Sequence, residues 1–187
     1  MLNQSDLTLI NQQNGRPAFK LFSFEGNDYF NELQRNNFFT LIWLMEGAGT
    51  INADFDGHLF EANSLFTFAP YQPYIFTVTK PIKGIAIYFH FDFFCIHKHQ
   101  KELELNGVLY NNVYQPPFVK VDEASAATFQ MLCEQIRSEM QRAALAQHEL
   151  LVSYLKIFLI TASRLKIAQQ PKAAAMVKDN KEPFILQ

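Results

Sequence analysis

Residues 37–74 read NFFTLIWLMEGAGTINADFDGHLFEANSLFTFAPYQPY, and the rhythm of this stretch decides the fold class. Phe38 to Met45 is an aromatic and β-branched run of the kind strands favour. Gly47 and Gly49 interrupt it, and Thr50 to Phe55 resumes. Asp56-Gly57 predicts a hairpin, because a type I′ turn needs positive φ at its central residues. His58 to Glu61 then returns along its partner. Asn63-Ser64 turns the chain into Leu65 to Phe68, which Pro70 and Pro73 end. Working outward, Tyr74 to Thr79 alternates as a further strand, Lys80-Pro81 predicts a turn, and Gly84 to Phe94 is a last long apolar run. Short strands between closely spaced turn residues predict an antiparallel sandwich or barrel. Of the 19 phenylalanines, 15 lie before residue 95, so the aromatic mass belongs to this half.

From Asp122 the composition changes to Ala, Gln, Glu, Leu and Met, and glycine is absent thereafter. Asp122 is the expected N-cap of a helix reaching about Arg142, with Phe129, Leu132, Ile136 and Met140 on one face. A second helix is expected from Ala146 to Gln169, about 36 Å long at the usual rise. Along it Leu151, Leu155, Phe158, Ala162 and Leu165 recur at alternating steps of four and three, the spacing of a short coiled-coil seam. Leu150, Tyr154, Ile157 and Ile160 form a second apolar row beside it. Either one row packs on the barrel or first helix while the other meets a partner, or both rows are buried within one monomer. Beyond Gln170, PKAAAMVKDNKEPFILQ reads as a linker, with Pro183 onward resembling the first turn of another helix.

The totals exclude several classes. The formal net charge is -2 and only 18% of residues are charged. Gripping a phosphate backbone normally takes a basic excess, so this chain is not expected to bind nucleic acid by itself. The N-terminus lacks the apolar core of a signal peptide, and no apolar run approaches the roughly 20 residues that span a bilayer. Cys95 and Cys133, far apart among apolar neighbours, read as free buried thiols in a reducing cytoplasm.

Little in the chain points to catalysis. No Gly-x-Ser-x-Gly elbow is present. Gly47-Ala48-Gly49 lacks the third glycine and the following helix of a dinucleotide site, so it reads as a turn. His90-Phe91-Asp92 and His97-Lys98-His99 have ligand-like spacing, and His58 is an earlier barrel histidine. No glutamate completes a metal set, so neither a metal, a cofactor nor a catalytic residue is assigned. Aromatic wealth points instead to binding: a barrel of this size has room for one small ligand among its inward side chains. Trp43, Tyr74, Tyr88 and His90, each with apolar area and a polar tip, are the candidate contacts.

The strand and glycine turn FFTLIWLMEGAGTI, the hairpin FDGHLFEAN, the segment SLFTFAPYQPY and the later YFHFDFF together resemble the N-terminal domain of the AraC family of transcription regulators. The resemblance covers roughly residues 20 to 170. It implies an α+β fold, a cupin-like antiparallel β-barrel of jelly-roll type followed by two C-terminal α-helices. The implied division is an N-terminal arm (1–20), the barrel (21–121), a helical dimerisation hairpin (122–170) and a linker (171–187) toward a missing helix-turn-helix domain. It further implies a small-molecule effector in the barrel and a homodimer paired antiparallel through the second helix, with Leu151, Leu155, Phe158, Ala162 and Leu165 as the seam. DNA would be reached only through the missing domain, and Met1 to Arg16 reads either as an arm that covers the pocket or touches that domain, or as a disordered tail. Where many members carry a histidine after the proline turn this chain has Tyr74, so that contact is not carried over. Two other expectations compete with a sensor: a cupin-type metal enzyme, isomerase or dioxygenase, and an interaction module whose barrel is filled by its own side chains.

Overall fold

The computed structural model describes residues 6–54, 56–94, 107–112, 115–142 and 144–170. Phe55, Cys95, His97, Lys98, His99 and the expected linker 171–187 lie outside them. In chain order the elements are strands β1 (Leu7–Ile10), β2 (Pro17–Gly26), β3 (Phe39–Ala53), β4 (Asp56–Glu61), β5 (Ser64–Phe68), β6 (Tyr74–Phe89) and β7 (Phe118–Lys120). Helices α1 (Glu123–Met140) and α2 (Gln147–Gln169) follow. Strands then helices, with every strand pairing antiparallel, is the expected division.

The sheet does not close into a barrel. Its order is β1-β2-β6-β3-β5-β7, an open path with β4 also on β3. The β7 end is covered by a helix instead of a strand: the Gln169 side chain accepts from Lys120 N (2.8 Å) and donates to Lys120 O (2.6 Å). β2 also runs across the expected arm–barrel boundary at residue 20.

Where the sequence predicts turns at Gly47 and at Lys80-Pro81, β3 and β6 continue as strands of 15 and 16 residues and bend. From the pair Leu44↔Gly84 to the pair Gly49↔Val78, five steps of β3 run against six of β6. Gly47 takes φ 107 there, a conformation open to glycine and strained for other residues. Pro81, which has no N–H to donate, sits opposite the irregular stretch where no ladder partner is required of it. The hairpin after β3 also differs from expectation. Ala53 faces Asp56, Asp54 takes the left-handed φ of 54°, and Gly57 falls inside β4.

The two faces of the sheet bury different cores. Leu41, Trp43, Leu65, Ile85 and Ile87 pack against Phe129, Leu132 and Ile136 of α1 and against Leu151, Leu155, Phe158 and Ala162 of α2. Phe129 and Phe158 stack at 4.1 Å and join the helices. The opposite, concave face carries Ile42, Leu44, Ile51, Phe60, Phe66, Phe68, Tyr74 and Phe76. Burying one such ring contributes about 1.5–3 kcal/mol, so these faces supply most of the driving force.

Asp122 caps α1 as expected, accepting from Ser125 N at 2.8 Å. Cys133 is a free thiol inside the first core, and burial pushes it up to about 12. Before α2 the chain turns at Ala146 (φ 58), and the Gln147 amide ties the helices by donating to Glu139 O (2.7 Å).

Near the far end of α2, Lys166 is 1% exposed. Its ammonium donates to Leu109 O (2.9 Å) and to Asn112 Oδ1. Both acceptors are neutral, and burial lowers the amine from its ordinary 10.5 to about 8. Between those two values the unfolded chain holds a proton that the folded chain has lost, so stability rises with pH across that window. Lys166→Met removes this dependence. Urea unfolding should show the variant's stability relative to wild type falling steadily from pH 8 to pH 10.5, whatever constant offset the lost hydrogen bonds add; a flat difference would refute the assignment.

Candidate functional site

The concave face, where the ligand was expected, is filled by the chain's own rings. Phe68 and Tyr74 stack at 3.9 Å and 8°, Phe66 and Phe76 meet at 4.9 Å, and Phe60 touches both of these at 5.3 Å. Phe30, from the segment between β2 and β3, closes the mouth. It lies 5.1 Å from Phe24 and 5.4 Å from Phe76. Its φ is 61°, unusual for an aromatic residue, and it is held there by its ring contacts and by Phe76 N donating to its carbonyl at 2.9 Å.

Outside this plug lies a cavity of about 390 Å³. Phe22, Tyr29, Phe30 and Tyr88 give it aromatic walls, Lys20 supplies a cation and Asp6 and Asp28 two carboxylates, Gln34 adds an amide, and Leu7 and Thr8 of β1 form one side. The ladder explains the grouping, since Lys20 pairs with Tyr88 on one side and with Thr8 on the other. The Tyr88 hydroxyl is 3.2 Å from that of Tyr74, which is buried behind it. Burial first, and then the neighbouring Tyr88, hold the Tyr74 phenol far above its ordinary range; burial raises Tyr88 as well. Both phenols are therefore neutral, and the pair can pass a hydrogen bond between the interior and whatever contacts Tyr88.

A smaller cavity of about 170 Å³ adjoins it, bounded by Asn37, Phe38, His90, Asp92 and Arg16. Phe38 stands between the two, 6.1 Å from both Tyr88 and His90, with Lys20 Nζ 5.4 Å over its ring. His90 Nδ1 is 3.3 Å from Asp92 Oδ2.

Of the four candidate contacts, Tyr74, Tyr88 and His90 thus share one neighbourhood. Trp43 does not. Alternation puts it on the helix-facing side, against Phe129 at 5.8 Å, with the sheet between it and the tyrosines. The expected seam residues Leu151, Leu155, Phe158, Ala162 and Leu165 are also in the chain's own core, none more than 9% exposed. The neighbouring row is the open one, with Leu150 39% and Ile157 48% exposed. Lys20, Phe22, Tyr29, Phe30 and β1 were missed: β1 is only four residues, but Asn14-Gly15 and Gly26-Asn27-Asp28 bracket the apolar run of β2 and were the turn signals that could have found it. Among the described residues no group of three or more His, Cys, Asp or Glu could hold a metal ion, and no helix is long and apolar enough to cross a membrane.

No family model and no curated protein matches the sequence. Solved structures do resemble it. The AraC-like transcriptional activator CuxR is similar over 89% of this chain and 60% of its own, at 8% identity and a TM-score of 0.48. ToxT from Vibrio cholerae is similar over 87% of this chain and 66% of its own, at 10% identity and a TM-score of 0.47. A cupin protein from Bacteroides fragilis matches 48% of this chain and 80% of its own, at 13% identity and a TM-score of 0.37.

Phe30→Ala should cost about 3–5 kcal/mol in urea unfolding, the usual toll of emptying a packed aromatic site. It should also open the interior, so that benzene raises the melting temperature of the variant by more than that of the wild type. A variant that benzene stabilises no more than the wild type would mean that removing the ring opens no interior space.

Proposed function

We propose that the chain is the ligand-sensing and dimerisation part of an AraC-type transcription regulator. It takes a small organic effector in the aromatic cavity beside Tyr88, pairs with a second copy through α2, and acts on DNA through a further domain. The reading calls for no metal, no cofactor and no catalysis. The observation that carries it is the composition of that cavity: aromatic faces with the phenols of Tyr29 and Tyr88, the Lys20 ammonium set among the Asp6 and Asp28 carboxylates and the Gln34 amide, and a wall lent by the N-terminal strand. An effector seated there touches β1 directly, so occupancy and the position of the N-terminus are coupled. The sequence resemblance over residues 37–74 and 88–94 supports the regulatory assignment.

The pairing surface is the outer row of α2, Leu150, Tyr154, Ile157 and Ile160, since the other row already serves the monomer core. Antiparallel pairing of these rows gives each copy an equivalent contact.

The filled concave face favours a second reading, an interaction module that takes no ligand. A thermal-shift panel of sugars and aromatic acids separates the two. At least one class should raise the melting temperature of the wild type and lose that effect in a Lys20→Met, Tyr88→Ala double variant. No response from any class would favour the second reading. For the pairing, sedimentation should show a wild-type dimer and an Ile157→Glu monomer that still melts cooperatively, whereas Leu155→Glu should unfold the chain. A dimer indifferent to Ile157→Glu would move the interface elsewhere.

A further inference from the structure

Another cavity, of about 580 Å³, lies in the cleft between α1, the end of β2 and the bend of β3 and β6. It shares no lining residue with the cavities near Tyr88. Its floor is apolar, formed by Met45, Gly84 and Ile85 with Phe24. Four charged side chains ring it, Glu25, Lys83, Glu134 and Arg137, and two of them pair with each other. Lys83 Nζ is 3.5 Å from Glu25 Oε2, and Glu134 accepts from the Gln130 amide at 2.7 Å.

Arg137 differs. It donates from Nη2 to Ser23 Oγ at 2.8 Å, a bond that reaches from α1 to β2 and fixes the guanidinium at the cleft. Among the described residues it forms no ion pair. A guanidinium carries a planar fork of N–H donors that matches a carboxylate side by side, and one bond to a hydroxyl leaves most of that fork unspent. The volume falls in the range of small-molecule sites, and an apolar floor with one oriented polar anchor is the usual make-up of such a site.

We propose that this cleft is a second binding site, for a small organic monocarboxylate with an apolar body. The carboxylate takes the free donors of Arg137 and the body lies on Met45, Gly84 and Ile85. A ligand seated so bridges α1 to β2 and β6.

Octanoate is the probe. Trp43, the chain's one tryptophan, pairs with Ile85 in the sheet and packs on Phe129 of α1, so its emission reports on the cleft. Titration followed by Trp43 emission and by calorimetry should show saturable binding at one octanoate per chain. Losing a charged hydrogen-bonding partner should weaken it by about tenfold or more in Arg137→Gln, and uncharged octanamide should bind the wild type more weakly by a similar factor. Glu134→Gln, which removes a competing negative charge at the rim, should tighten it. Circular dichroism checks that Arg137→Gln is folded. If it is not, Arg137→Lys, which keeps the charge and loses the fork, and Glu134→Gln carry the test. Absence of saturable binding, binding unmoved by the Arg137 and Glu134 variants, octanamide binding as well as octanoate, or loss of binding in Lys20→Met would each overturn the proposal; the last would put octanoate beside Tyr88.

Discussion

At the middle of the chain's two longest strands, five steps of β3 are matched to six of β6, and the mismatch sets where every other layer can go. Regular alternation would send Ile42 and Leu44 to one side and Ile51 and Ala53 to the other. The irregular stretch around Gly47 and Pro81 resets that parity, so all four face one concave core. It also lets β3 change partners along one edge, from β5 at Thr40–Leu44 to β4 at Ala48–Ala53. A sheet bent this way encloses rings on its inner side and offers α1 and α2 a flatter apolar outer side.

How much of this could be read beforehand follows from what each signal measures. Strand existence was legible because β-branched and aromatic runs mark it, and both helices with the Asp122 cap were legible from their period and capping chemistry. Gly47, Gly49 and Pro81 are ambiguous on paper. The same residues that end a strand also permit a bulge within one, and the choice rests on whether a long partner waits alongside. The two rows of α2 were seen as rows, but which faces inward depends on where the sheet lies, and periodicity has no access to that. Trp43 was misplaced relative to Tyr74 for the same reason: a difference in parity across the bulge is invisible without the register. Closure failed as an expectation because Gln169, at the end of a helix far along the chain, satisfies the edge of β7.

The candidate site shows a division of labour between plug and pocket. Phe30 keeps water and ligands out of the interior at the cost of an unfavourable backbone conformation. The surface it leaves is aromatic and half-open, with Tyr88 linked by its hydroxyl to the buried Tyr74. Because Lys20 belongs to β2 and pairs with both Thr8 and Tyr88, the N-terminal strand, the cation and the phenol form a single ladder row. Local adjustment at any one of them is felt by the other two without passing through the core.

The bond between Gln169 and Lys120 has a consequence for solubility. An uncovered edge strand is a template for the strands of other molecules. Here the cover is the amide on the last residue of α2, imitating the donor and acceptor of a missing strand, with the Gln170 amide donating to Phe118 O beside it. Fraying of that final helical turn would bare β7 even while both cores stay intact. The helix terminus therefore guards against self-association as well as packing the fold.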